Sequence, residues 1–401
     1  LLAGFLLLAL CSWSSVAQAE LSLFEGDEVE LRAAASWRSA SAVLWSPLAE
    51  LVDDAGALGI AATVTRLELK ADFGEDVAFE FHDRLFMRLL SSEAAAFANV
   101  GIGVSPMPAR SLELSSTLLS KPGLLLDNDL DRLQLKLYFD WVDLTLGRQA
   151  LTWGDAKLFR VADLWTSFSP FDLDTSEKRG VDALRFLTSV ADGRHELELL
   201  LVDRASLEDF SGGMRWVGYF DGFDLFAGAS KQWDTLVLMT GLNWTIDVWG
   251  LRGELAWPCW SFDEEEVELP RLTLGLDYFG SKVFGVLELH FNGAAGAELD
   301  LPTPSLQRGE TFLLGRYYAG FAVTWEATEL LSLSLSTMSN ILDPSVLLSP
   351  MLSYRLSDEA ELLFGASLGI GAEPQLQPTP RLRSEFGSYG QMLSLQLVAY
   401  L

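Results

Sequence analysis

The side chains that could do chemistry crowd into one stretch. Between Leu144 and Arg185 stand six basic residues, Arg148, Lys157, Arg160, Lys178, Arg179 and Arg185. Six acidic ones accompany them: Asp155, Asp163, Asp172, Asp174, Glu177 and Asp182. The stretch is neutral inside a chain of net charge −28. A loop that met only water would not need this balance, whereas charges taken out of bulk water need partners. The segment is therefore expected to pack inside an enclosure. Arg148, Gln149, Trp153, Asp155, Lys157, Arg160, Asp172, Arg179 and Arg185 are the side chains that would meet a solute there. The same pattern also suits a lid or plug closed by internal ion pairs.

A second group lies earlier in the chain. Arg32, Arg38, Arg66, Lys70, Arg84, Arg88, Arg132 and Lys136 fall on the polar faces of alternating segments, with Glu28, Glu30, Glu68, Asp72 and Glu80. Facing a narrow lumen, such a ladder concentrates anions. Facing one another, the same residues form a salt-bridge network that stiffens a wall, and both readings stand. Later polar faces carry Glu196, Glu198, Glu254, Arg271, Asp277 and Arg316, with no bias of sign.

Other chemistry finds little support. His82-Asp83 are adjacent and point to opposite faces of a strand. His290 and Asn292 share a face, but no serine motif supplies the nucleophile that a hydrolase needs beside them. Beyond Cys11 the only cysteine is Cys259, so no internal disulfide and no cysteine-based metal or haem site is expected. The run from Asp263 to Glu266 reads as a solvated loop, with divalent cations near lipopolysaccharide as the other use. No cofactor and no metal are expected. The acidity argues against nucleic acid as a partner, because phosphate binding wants a basic face.

The elements that would position these residues are strands. The chain is 49% hydrophobic with a mean hydropathy of +0.22, yet no apolar run long enough for a spanning helix follows residue 19. Apolar and polar residues interleave instead. Leu67, Leu69, Ala71 and Phe73 alternate with Arg66, Glu68, Lys70 and Asp72. Leu133, Leu135 and Leu137 alternate with Arg132, Gln134 and Lys136. Leu331, Leu333 and Leu335 alternate with serines, and Leu393, Leu395, Leu397, Ala399 and Leu401 line one face of the last segment. A period of two marks strands. They run to roughly 10–13 residues, longer than the 5–6 usual in soluble sheets and near the 9–11 that cross a bilayer. Trp37, Trp141, Trp244, Trp257, Tyr278, Trp325, Tyr354, Tyr389 and Tyr400 lie near strand ends, as an interfacial girdle requires.

Loop lengths test that reading. Tight turns are expected at 73–76, 140–143, 191–194, 221–224, 247–250, 280–282, 326–328 and 357–359. Longer connections fall between them, at about 40–59, 89–131, 150–179, 205–212, 258–267, 292–312 and 371–387, with shorter ones near 232–234 and 341–346. All the long ones land at one end, as in membrane barrels. The expectation is an all-β, antiparallel up-and-down transmembrane barrel over residues 20–401. It has about 18 strands, with 16 as the other count because 89–131 and 205–224 parse poorly. Leu112–Ser120 is a further strand or a plug element. Residues 1–19 read as a secretory signal, with an apolar run from Leu1 to Leu10 and a small-x-small site at Ala17 to Ala19. The barrel is expected in a bacterial outer membrane with both termini periplasmic, in contact with lipid and lipopolysaccharide.

Gly147-Arg148-Gln149, then Trp153-Gly154-Asp155, then Pro170 and Asp172, resemble porin-like outer-membrane families, alginate-export-type barrels among them. The resemblance covers residues 144–185 of 401. It implies passive or facilitated passage of a small hydrophilic solute, with 150–179, the third outer loop, as the constriction. In this sequence Arg148 falls on the parity of the lipid-facing Leu144 and Leu146, which would place it at the rim or on a bulge. By parity Gln149 faces the lumen. The alternative is a structural or plugged barrel that sheathes or anchors a periplasmic partner, such as an electron conduit or a component of polysaccharide export. The oligomeric state is left open.

Overall fold

The structure, a computed structural model, describes residues 20–48, 56–98, 109–165, 178–206, 209–263, 267–296, 299, 304–308, 310–375 and 381–400. The proposed signal 1–19, Pro170, Asp172 and the acidic run at 264–266 lie outside the described residues.

The described strands are β1 (Leu21–Glu25), β2 (Val29–Trp45), β3 (Leu58–Phe73), β4 (Val77–Leu90), β5 (Ser115–Lys121), β6 (Leu124–Phe139), β7 (Val142–Gln149), β8 (Val181–Val190), β9 (His195–Val202) and β10 (Ser211–Phe220). They continue as β11 (Phe223–Gln232), β12 (Thr235–Ile246), β13 (Trp249–Ser261), β14 (Arg271–Phe279), β15 (Val283–Phe291), β16 (Tyr317–Glu326), β17 (Leu331–Asn340), β18 (Ser345–Ser357), β19 (Ala360–Ile370) and β20 (Gln391–Tyr400). Each barrel strand pairs antiparallel with the next. The ring closes where β2 meets β20, from Ser36 opposite Tyr400 to Trp45 opposite Gln391. Eighteen strands form this ring. β1 only extends the tight-turn end of β2, and β5 pairs with the far half of β6, where β7 no longer reaches. Closure leaves the ring without an edge, which a sheet in lipid requires.

Alternation sets the two faces. Outward residues such as Leu238, Leu274, Leu289 and Leu395 are exposed, while inward ones such as Arg66, Glu198, Glu288 and Ser336 are buried. This is the inverse of a soluble barrel. All eight expected tight turns lie at one end and all nine longer connections at the other. Two expectations change. The second long connection is shorter than 89–131, because β6 already begins at Leu124 and 115–121 is the extra strand. Two girdle assignments fail. Tyr400 faces inward beside Val398, and Tyr389 packs on Phe386 with ring centroids 5.4 Å apart.

The strand β6 carries a bulge. His82 pairs with Arg132 and Asp83 with Leu130, leaving Asp131 as the extra residue. Two buried neighbours, Asp131 and Arg132, result. A bulge re-aims side chains without ending the ladder.

Candidate functional site: the segment across the lumen

Residues 150–165 leave β7 and cross the interior. The crossing has two kinds of support. The first is apolar. Leu151, Trp153, Val161, Ala162, Leu164 and Trp165 pack on inward Val181, Ala183, Leu200, Val202, Phe226, Val237, Met239 and Ala256. Trp153 and Trp165 meet edge to face at 4.9 Å. Further across, Leu158 and Phe159 join Val286, Tyr318, Ala322 and Met338 of the opposite wall. Each such buried side chain is worth about 1.5–3 kcal/mol.

The second support is polar and comes from the wall. Glu288 of β15 accepts the backbone N–H groups of Lys157 at 2.7 Å and of Leu158 and Phe159 at 2.9 Å each. Glu254 of β13 accepts those of Asp155 and Ala156. Five successive peptide donors thus converge on two carboxylates, a nest-like arrangement suited to negative charge. Arg252 ties the pieces together. Its Nη1 donates to the Asp155 carbonyl at 2.7 Å, and its Nη2 to Asp277 at 2.6 Å and to Glu288 at 3.0 Å. Thr273 donates to the Phe159 carbonyl at 2.7 Å, and the Phe159 ring stacks on His290 at 5.0 Å.

Small residues make the crossing possible. Gly154 has φ +89°, and a side chain there would meet the Glu254 carboxylate at 2.9 Å. On the wall, a Cβ at Gly320 would lie 2.7 Å from the Phe159 ring. Glycine in a strand interior often marks such a close approach.

The residues expected at the constriction separate into groups. Trp153 is 1% exposed and donates from Nε1 to Glu198 at 2.8 Å. Glu198 also takes Arg185 at 2.6 Å and Arg215 at 2.8 Å. Asp155 is exposed, while Lys157, Arg160 and Arg179 are half-buried. Burial, with Arg252 near by, holds Lys157 below the usual lysine range. Lys178 is also lowered by burial although it pairs with Asp163. Gln149 is buried and donates to the Ala183 carbonyl at 3.1 Å. Asp172 lies outside the described residues.

Arg148 meets neither lipid nor solute. It keeps its outward parity, opposite Asp182, but is 1% exposed. Its Nε donates to Asp182 at 2.8 Å, and its Nη atoms donate to the Leu130 and Leu112 carbonyls. The guanidinium seals the seam where β6 diverges from β7. Neither the rim nor the bulge that parity suggested accounts for it.

Register puts the whole basic ladder inward, in rows across β2, β3, β4 and β6. Most of its charge is balanced. Arg32 pairs with Glu20 at 3.1 Å, Glu30 at 3.3 Å and Asp72 at 2.5 Å, and Lys70 with Glu20 at 2.6 Å. Arg66 and Arg132 each reach Asp131 at 2.8 Å, and Lys136 reaches Glu80 at 2.5 Å. Arg84 lies over the Phe86 ring at 5.1 Å. Arg88 alone in the ladder has no ion pair or hydrogen bond among the described residues.

Sequence reasoning missed Glu288 and Arg252. Both are inward by parity, and an acid inward on a wall that also carries small inward Gly320 was the available signal. Glu254 and Glu198 were seen as lumen residues but not as anchors. No metal-ligating group of three or more is found among the described residues.

No family model matches the chain, and no curated protein does. The likeness to alginate-export barrels therefore gains nothing from either comparison. Solved structures do match. Pseudomonas aeruginosa OccK9 (OpdG) superposes with a TM-score of 0.61 at 10% identity, over 92% of this chain and 98% of that one. Acinetobacter baumannii OccAB4 gives 0.56 at 10% identity over 97% and 100%, and Pseudomonas aeruginosa OccD3 (OpdP) 0.54 at 10% over 98% and 97%. At this identity the likeness establishes the fold. The chain shares the closed-barrel architecture of these structures over 92–98% of its length.

Proposed function

We propose that the protein is a porin-like outer-membrane channel for small hydrophilic solutes, with anions favoured and residues 150–179 as its constriction. One observation carries the reading: a segment of the chain crosses the lumen and is pinned by Glu254 and Glu288 to the far wall. A barrel with an apolar outer band, a polar interior and a fixed internal crossing narrows passage without blocking it by a moving part. The segment also occupies the space that a sheathed partner would need. The Occ structures, which superpose over 92–98% of the chain, support a channel of this kind. The two ends of the described barrel, at β1 and Tyr400, lie at the tight-turn end, which is periplasmic in this reading because long loops face outward in such barrels.

The anion preference rests on Arg88, since Arg32, Arg66, Lys70, Arg132 and Lys136 already face carboxylates. It is accordingly modest. Planar-bilayer recording tests both parts. Deleting 155–175 should raise conductance and broaden solute passage; unchanged conductance from a folded barrel would remove the constriction. Reversal potentials in a salt gradient should show weak anion selectivity that Arg88→Gln reduces. Cation selectivity in the wild type would overturn it.

A further inference from the structure

The outward surface is apolar almost throughout, with Leu238, Leu274, Leu289 and Phe364 typical of it. The sector formed by β2, β3, β4 and β6 departs from this. Register places Ser39 opposite Thr63, Trp37 opposite Thr65, and Leu67 opposite Asp83, all on the outward side. Asp83 lies between two buried inward neighbours, His82 and Arg84. Its carboxylate accepts from Asn128 Nδ2 at 2.9 and 3.0 Å. Ser39 Oγ and Thr63 Oγ1 are 3.2 Å apart. The outward residues flanking Asp83 on its own strand are Phe79 and Phe81 toward the tight turn and Leu85, Met87 and Leu89 toward the loops. A carboxylate therefore stands inside the apolar band. Away from the strand ends, the other acid of outward parity among the described residues is Asp182, and Arg148 seals that one.

Hydrocarbon offers a carboxylate nothing. An ionised carboxyl accepts about four hydrogen bonds, and one amide cannot supply them. Ionisable groups at membrane depth are costly and mark an interaction. Lipid headgroups lie at the rims, not at this depth. The sector's own groups are complementary to themselves: an amide and hydroxyls that donate, a carboxylate that accepts, and side chains small enough for close approach, as at Ala35, Ser41 and Ala61.

We propose that this sector is the interface with a second copy of the chain. A two-fold arrangement brings the same patch of both copies together. Asp83 of one copy then accepts from the amide and hydroxyl donors of the other. Four strands about 4.8 Å apart span roughly 20 Å, and with an apolar band about 25 Å tall they give roughly 500 Å² per copy. The total of about 1,000 Å² reaches the size a specific interface needs.

The test uses the full chain, reconstituted in lipid nanodiscs and weighed by native mass spectrometry with and without lipopolysaccharide. The wild type is expected as a dimer. Asp83→Leu should weaken dimerisation at least tenfold while heat-modifiable gel migration shows an intact barrel. Ser39→Leu with Thr63→Leu should do the same without touching the carboxylate, and Leu274→Asn on another wall should change nothing. A monomeric wild type, a dimer indifferent to these sector substitutions, or lipopolysaccharide bound to a monomer in place of a second copy would each overturn the proposal.

Discussion

Glu288→Ala removes the anchor that holds the crossing segment at its tip. The carboxylate accepts three peptide N–H groups at 2.7–2.9 Å. Hydrogen bonds to a charged group are worth about 1.5–3 kcal/mol each. The freed donors can be rehydrated, so the low end applies, and the three together amount to about 4.5 kcal/mol, roughly two-thousandfold in the docked-to-undocked ratio. Arg252 keeps Asp277 at 2.6 Å, so no charge is stranded. Glu254 and the packing of Phe159 remain, which makes undocking transient rather than permanent. Single-channel recording should therefore show bursts of raised conductance over a base level like the wild type. Glu361→Gln serves as a control, because that inward carboxyl accepts from Ser353 of the neighbouring strand β18. If Glu288→Ala conducts with wild-type amplitude and noise from a folded barrel, the anchor does not govern the passage and the reasoning fails.

Three further outcomes follow from the same geometry. Trp153→Ala should cost about 3–5 kcal/mol of segment packing and leave Glu198 to its arginines, read as faster proteolysis within 150–179 in the intact barrel. Gly320→Ala places a methyl 2.7 Å from the Phe159 ring; the overpacking, about 1–3 kcal/mol, should displace the segment and raise mean conductance, and an unchanged channel would show that the ring can yield. The third concerns pH. Burial lifts the Glu385 carboxyl from 4.5 to about 7, against hydrogen bonds from Tyr318, Leu314 and Asn340 that lower it. Its folded-state value exceeds the unfolded one, so the protonated form favours the folded loop. Stability from this group is complete below about 4.5 and declines as pH rises toward 7. Hydrogen-exchange protection of residues 381–390, corrected for chemical rate, should fall on the order of a hundredfold from pH 4.5 to 7.5, and Glu385→Gln should flatten the profile; protection that grows with pH would contradict it.

The amino-acid sequence by itself determined the barrel. Period-two alternation and the parity of loop lengths depend only on chain neighbours, so the barrel class and inward or outward facing could be read from it, while the count stayed between 18 and 16 until the pairing of 89–131 and 205–224 decided it. The inward set Arg66, Lys70, Arg132 and Lys136 is an example. Charge balance in 144–185 likewise marked the segment that enters the lumen. What it could not supply was the partner of each charge. Glu288 is about 130 residues from the peptide groups it holds, and only closure of the ring brings β15 opposite the end of β7. The ladder's balance was equally hidden, because the bulge that presents Asp131 to both Arg66 and Arg132 breaks the periodicity on which the reading relied. Arg148 kept the outward parity read from the sequence but not the exposure that parity implies: where β6 diverges from β7, its side chain enters the seam between strands, a place that neither of the two faces describes.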